Sequence, residues 1–129
     1  MSYGNAVTVK TPFAETAERV REELKAEGFG VLTEINVKST LREKLGEDVE
    51  DYLILGACNP PLAHRALSVD RSIGLLLPCN VVVRAAGDST VVEALNPQIM
   101  VNLSDRPELE SIADDAAARL QRVLERLNR

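Results

Sequence analysis

Aromatic residues are scarce in this sequence, making up 3% of 129 residues, and tryptophan is absent. Single-stranded nucleic acids are bound largely by stacking bases on exposed aromatic rings, which are nearly missing here. The 15 basic residues are outnumbered by 20 acidic ones, giving a net charge of −5. They form no cluster, whereas binding to a phosphate backbone requires concentrated positive charge. We therefore expect no nucleic-acid partner.

Residues that carry chemistry are also few, with one histidine and two cysteines in the chain. The sequence contains no G-x-S-x-G elbow, no C-x-x-C pair and no phosphate-binding loop. A serine hydrolase would thus lack both its strained turn and a choice of base. The sequence leaves enzymatic activity open but favours a non-enzymatic role, and it predicts no catalytic residue and no cofactor.

Long apolar runs are missing as well. The longest stretch, residues 73–83, is interrupted by Gly74, Pro78 and Asn80 and is too short to span a bilayer. The N-terminal residues show no basic stretch followed by an apolar run, as a secretory signal would. We expect a soluble cytoplasmic protein with no membrane partner.

The hydrophobic pattern predicts one domain over residues 1–129, without internal repeats or linkers. Strands are predicted at residues 6–10, 29–37, 52–58, 79–85 and 90–95, with a short last strand at 99–103. Thr11 is the predicted N-cap of a first long helix, with Pro12 at its first position. Short helices are predicted at 39–46 and 60–67, and a second long helix from Arg106 onward.

The faces of these elements indicate how they pack. The strand at 29–37 alternates, which predicts one buried and one solvent-exposed side. The run at 52–58 is almost continuously apolar and predicts a central strand. The last helix has an apolar stripe at four-three spacing, formed by Leu109, Ala113, Ala116, Leu120, Val123 and Leu127. This stripe could form a dimer seam, but packing on the protein's own sheet is favoured.

Together these patterns predict an α+β fold: a curved, mainly antiparallel sheet covered on one face by two long helices. The predicted order is β-α-β-β-β-β-α, with short helical insertions.

The most unusual stretch surrounds Asn59-Pro60-Pro61, with Cys58 before it and His64 after it. If the strands that end at Cys58 and begin at Cys79 are antiparallel neighbours, both cysteines lie at the same edge of the sheet. His64, on the helix between them, could then face two thiols and complete a soft-metal set. The alternatives are a cysteine nucleophile paired with His64 and two small buried hydrophobic residues, of which the last is favoured.

From Phe13 to about Val83 the chain resembles the domain-of-unknown-function family numbered 302. The resemblance rests on Gly28-Phe29 leading into a strand, an apolar strand running into Asn59-Pro60, Asp70 with Gly74, and Leu75-Leu76-Leu77-Pro78 opening a Val-rich strand. It implies a fold similar to the TATA-binding-protein class and a homodimer. It implies no established activity.

These observations lead to a non-enzymatic small-ligand-binding or accessory protein that acts as a homodimer. We expect the ligand near Cys58, Asn59, His64 and Cys79. One alternative is a thiol- or soft-metal-dependent enzyme or metal carrier that uses Cys58 and Cys79. A purely structural homodimer, joined through a strand edge or the terminal helix, is the other.

Overall fold

A computed structural model describes residues 3–129; Met1 and Ser2, which belong to the predicted domain, lie outside the described residues. Its strands are β1 (Gly4–Val9), β2 (Gly30–Asn36), β3 (Tyr52–Cys58), β4 (Cys79–Ala86) and β5 (Ser89–Leu95). Its α-helices are α1 (Phe13–Ala26), α2 (Val37–Leu45), α3 (Pro60–Val69), α4 (Gln98–Ser104) and α5 (Glu110–Leu127). Two 3₁₀ segments, Arg71–Leu76 and Pro107–Leu109, precede β4 and α5. No helix among these described residues has the length and apolar character needed to cross a bilayer.

The strands form one open sheet in the order β1-β5-β4-β3-β2, and every neighbouring pair is antiparallel. This confirms the predicted α+β class and the β-α-β-β-β-β-α order. β3 has neighbours on both sides, as its apolar run requires, but β4 is the strand at the centre of the sheet.

One face of the sheet packs against α1 and α5. Alternate residues of β3 and β4 point to this face and are buried, including Leu55 and Val83, both fully inaccessible to solvent. We call this cluster the sheet core. The apolar stripe of α5 is buried in the same chain, which confirms the favoured interpretation that it packs on the protein's own sheet.

A second cluster lies beyond one end of the sheet, and we call it the end core. It joins α3, the 3₁₀ segment before β4, α4 and the first turns of α5. Its buried members are Leu62, Ala66, Ile73, Met100, Leu109, Ile112 and Ala116. The helical insertions between strands are therefore held together by their own apolar contacts.

The predicted last strand at residues 99–103 is wrong, since this segment lies in helix α4. The side-chain Oδ1 of Asn96 accepts a hydrogen bond from the backbone N–H of Gln98, 3.1 Å away, and turns the chain into the helix. Met100 is buried in the end core while Leu103 is 67% exposed. A short apolar run does not by itself distinguish a strand from a helix, and here the tertiary contacts decided.

Strand β2 is less buried than its sequence pattern predicts. A bulge between Val31 and Thr33 shifts the pairing with β3 by one residue. Because side chains alternate along a strand, this shift moves Thr33 and Ile35 to the face opposite α1, where both are exposed. Glu34 is instead directed toward α1 and forms an ion pair with Arg21.

The first helix begins one residue later than predicted. Pro12 occupies the N-cap position of α1 and no side chain caps it. The hydroxyls of Thr11 and Thr16 are hydrogen-bonded to each other instead, at 2.5 Å. Proline therefore precedes the helix here rather than occupying its first position.

Candidate functional site

The two cysteines lie at the same end of the sheet, as predicted. Cys79, the first residue of β4, pairs with Ala57 of β3, and Cys58 follows Ala57 directly. Because side chains alternate along a strand, Cys79 shares the face of Ala57, whereas Cys58 is directed to the opposite face of the sheet. Both are free thiols; Cys79 is buried and Cys58 is partly exposed.

Asn59 joins this strand end to helix α3. Its Oδ1 accepts a hydrogen bond from the backbone N–H of Leu62 at 3.2 Å, which confirms the predicted N-cap. Its Nδ2 donates to the carbonyl oxygen of Glu27 at 3.5 Å, and the residue is only 8% exposed. Asn59 thus orients α3 relative to the end of α1.

A small apolar cavity of about 30 Å³ lies where the sheet core meets the end core. Ala57, Cys58, Asn59 and Cys79 line it from the sheet. The helices contribute Leu62, Ala63, Ala66, Met100, Ile112 and Ala116. A single water needs about 10–15 Å³ and several polar partners. The cavity exceeds that volume but offers almost no polar atoms, so its walls suit an apolar group.

The Cys79 thiol is held in its protonated form. Burial, reinforced by the nearby Cys58 sulfur, raises the pKa of Cys79 to about 11. Since the thiolate is the nucleophile, a thiol with this pKa is a poor one at neutral pH. The protonated Cys79 thiol therefore contributes to the apolar wall of the cavity.

His64 does not join the other three predicted site residues. It lies on the exposed side of α3 and does not line the cavity. Its place in the sequence suggested proximity to the cysteines, but the helix turns the imidazole outward. Within residues 3–129, no three His, Cys, Asp or Glu side chains lie close enough together to hold a metal ion.

The sequence analysis did not identify the charged cluster beside this site. Glu27, whose side chain is 10% exposed, receives hydrogen bonds from Arg122 at 3.1 Å and Arg126 at 2.9 Å. Arg126 also donates to Glu23 at 2.8 Å. Two features of the sequence indicate such a cluster. An acidic residue stands at the C-terminus of α1, where a basic side chain is usual. The arginines at positions 119, 122 and 126 share one face of the last helix.

Gly28 permits the close packing between this cluster and Asn59. It has a φ of +83°, which favours glycine, and a Cβ here would lie 3.0 Å from Asn59 Nδ2. The Glu27 carbonyl oxygen also accepts from Arg119 at 2.9 Å. The end of α1 is therefore fixed against both α3 and α5 next to the cavity.

Comparisons with known proteins identify relatives but no activity. The family model "Domain of unknown function DUF302" matches residues 5–127. The crystal structure of the uncharacterized conserved protein DUF302 from Bacillus stearothermophilus is 37% identical in sequence and superposes with a TM-score of 0.92. The match covers 99% of this chain and 100% of that one. No curated protein matches significantly.

Proposed function

Since the chain belongs to the DUF302 family, for which no activity is described, we propose from the geometry that it is a non-enzymatic binding protein. It would bind the apolar end of a small ligand in the cavity between the two cores. The observation that supports this is the apolar lining of the cavity at the strand end where Cys58, Asn59 and Cys79 meet. We retain His64 only for a part of the ligand that extends outside the cavity.

The volume of the cavity limits the group that can enter. About 30 Å³ accommodates a group of a few atoms, far less than a whole drug-sized molecule. Most of the ligand would therefore remain outside, beside the partly exposed Cys58. A larger group could enter only if α3 and α4 move away from the sheet end.

Filling the cavity should abolish binding. We expect Ala116→Val, which adds two methyl groups at the cavity wall, to exclude the ligand, whereas Ala117→Val on the same helix should not. Native mass spectrometry of the protein purified without a tag would show a small-molecule adduct in wild type and Ala117→Val and none in Ala116→Val. Uptake of xenon, which enters small apolar cavities, checks by NMR whether the space is accessible. Xenon uptake without any adduct in wild type would indicate a packing defect and contradict the proposal.

We further propose that the protein acts as a homodimer through the sheet face opposite α1 and α5. Tyr52, Ile54 and Val82 alternate with the buried core positions and therefore share this face, each partly exposed. A depression of about 200 Å³ lies on it beside Tyr52 and Val82. Exposed apolar surface of this kind is typical of interaction sites. The bulge in the edge strand β2 disfavours pairing through that edge.

Val82→Glu would place a charge in this face and should convert the dimer to a monomer. Sedimentation velocity at micromolar concentration measures the change. Leu103→Glu, an exposed apolar position on α4, is the matched control and should leave the dimer intact. A wild-type monomer at this concentration would contradict the homodimer.

A cytoplasmic location is part of the same proposal. It is supported by two cysteines that are both free thiols. The likeness of the fold to the TATA-binding-protein class stays a prediction.

A further inference from the structure

Two charged side chains lie next to each other on the sheet face opposite α1 and α5. Arg84 of the central strand β4 donates a hydrogen bond from Nε to Oε1 of Glu93 on β5, 3.1 Å away. Their paired neighbours on adjacent strands include Tyr52 and Val82. Within the five described strands, every other residue that alternation directs to this face is uncharged. The ion pair is therefore isolated in a largely apolar surface.

This pair uses only part of its hydrogen-bonding capacity. A guanidinium has five N–H donors and a carboxylate has two acceptor oxygens. Among residues 3–129, the Nη groups of Arg84 and Oε2 of Glu93 have no hydrogen-bond partner. Their side chains are 32% and 42% exposed, so solvent reaches both groups in a single chain. A protein that covered this face would remove that solvent and would have to supply an anion for Arg84 and donors for Glu93.

We propose that a second copy of the chain supplies both groups, with Arg84 of each copy donating to Glu93 of the other. The inference rests on the homodimer proposed above and assigns the residues by which its two chains recognise each other. In a two-fold symmetric contact the same patch lies on both sides. A basic and an acidic group side by side are then complementary to their own copy. This charge complementarity favours a second copy over an unrelated partner.

The exchange forms a cluster of four charges in which Arg84 lies between two carboxylates and Glu93 between two guanidinium groups. No charge in this cluster is left without an opposite neighbour when the face is covered. The surrounding apolar residues supply the area that holds the chains together, whereas the charges determine which partner and which orientation are accepted. A surface that placed like charges opposite this pair would be rejected.

Charge reversal tests the exchange. Arg84→Glu gives the face two acidic groups and Glu93→Arg gives it two basic groups, so each variant should repel its own copy. We expect the dissociation constant of either homodimer, measured by sedimentation equilibrium, to rise at least about tenfold. An equimolar mixture of the two variants brings opposite charges together and should form a heterodimer, which native mass spectrometry identifies by its mass. Arg106→Glu, at an exposed position outside the sheet, is the control and should dimerise as wild type does.

The results separate this inference from the homodimer itself. A wild-type monomer would contradict the homodimer and the exchange together. A wild-type dimer whose reversed variants both remain dimers, or whose mixed variants form no heterodimer, overturns only the exchange. Circular dichroism checks that each variant is folded. If a reversed variant does not fold, Arg84→Gln and Glu93→Gln remove one charge without adding another, and unchanged dimerisation in both would equally overturn the inference.

Discussion

Gly56→Val is expected to lower the free energy of unfolding by about 3 kcal/mol or more. Gly56 lies in β3 on the sheet face opposite α1 and α5. It is packed between Thr33 of β2 and Pro78, the residue that precedes β4. A Cβ at this position would lie 2.1 Å from Thr33 Oγ1 and 2.9 Å from Pro78 Cγ. The branched valine side chain therefore requires both neighbours to move.

Chemical denaturation of Gly56→Val and Gly30→Val would measure this effect against a matched control. Gly30 lies in the adjacent strand, and a Cβ there would meet no atom within 4 Å. Its replacement should change stability by no more than about 0.5 kcal/mol. Removing the Thr33 hydroxyl with Thr33→Ala should restore about 1 kcal/mol to Gly56→Val but not to Gly30→Val. Equal losses in the two glycine variants would show that the contacts of Gly56 are not the cause.

The same substitution should disturb the cavity. Pro78 leads directly into Cys79, and Gly56 precedes Cys58 by two residues, so a shift of either backbone moves a cavity wall. Gly56→Val should thus reduce binding of the ligand even where the protein remains folded. This connection between stability and binding follows from the position of the cavity at the end of two strands.

The sequence predicted those elements whose local signals agree with their tertiary contacts. The run at Tyr52–Cys58 was assigned with its observed bounds because a buried internal strand needs apolar residues on both faces. Asn59 followed by two prolines identified the start of α3, since both residue types satisfy the open end of a helix. The antiparallel pairing of β3 and β4 then follows, and it brings the cysteines to one end of the sheet.

The sequence pattern was insufficient where a one-residue shift in strand pairing, or a contact between segments distant in the sequence, determines the structure. Nothing in the alternation at residues 29–37 indicates the bulge that exposes Ile35. Met100 was assigned to a strand, so its place in the wall of the cavity could not be foreseen. His64 was expected near the cysteines, but its side of α3 depends on which helical face packs against Ile112 and Ala116. These properties arise from packing between segments distant in the sequence.

The second large effect concerns Glu27, whose carboxylate connects the end of α1 to α5. Its two oxygens accept from Arg122 and Arg126, and Arg126 also donates to Glu23. Removing the negative charge leaves two guanidinium groups facing each other without an anion between them. We expect Glu27→Gln to lower the free energy of unfolding at pH 7 by about 1–2 kcal/mol, an amount moderated by solvent around the half-exposed Arg122.

The pH dependence distinguishes this charge effect from a change in packing. Hydrogen bonds from the Arg122 side chain, with those from Arg126, hold the pKa of Glu27 below its ordinary value of 4.5, against the opposing effect of burial. A lowered pKa in the folded state stabilises the protein above pH 4.5, and this contribution is lost as the pH falls through the folded-state pKa. The stability difference between wild type and Glu27→Gln should therefore be constant near neutral pH and shrink below pH 4.5.

Urea denaturation from pH 7 to pH 3 measures this difference. Glu22→Gln, at an exposed position on α1, is the control and is expected to stay within about 0.5 kcal/mol of wild type. A difference that persists unchanged at pH 3 would show that Glu27 contributes through packing, and that α1 and α5 are not held together by its charge.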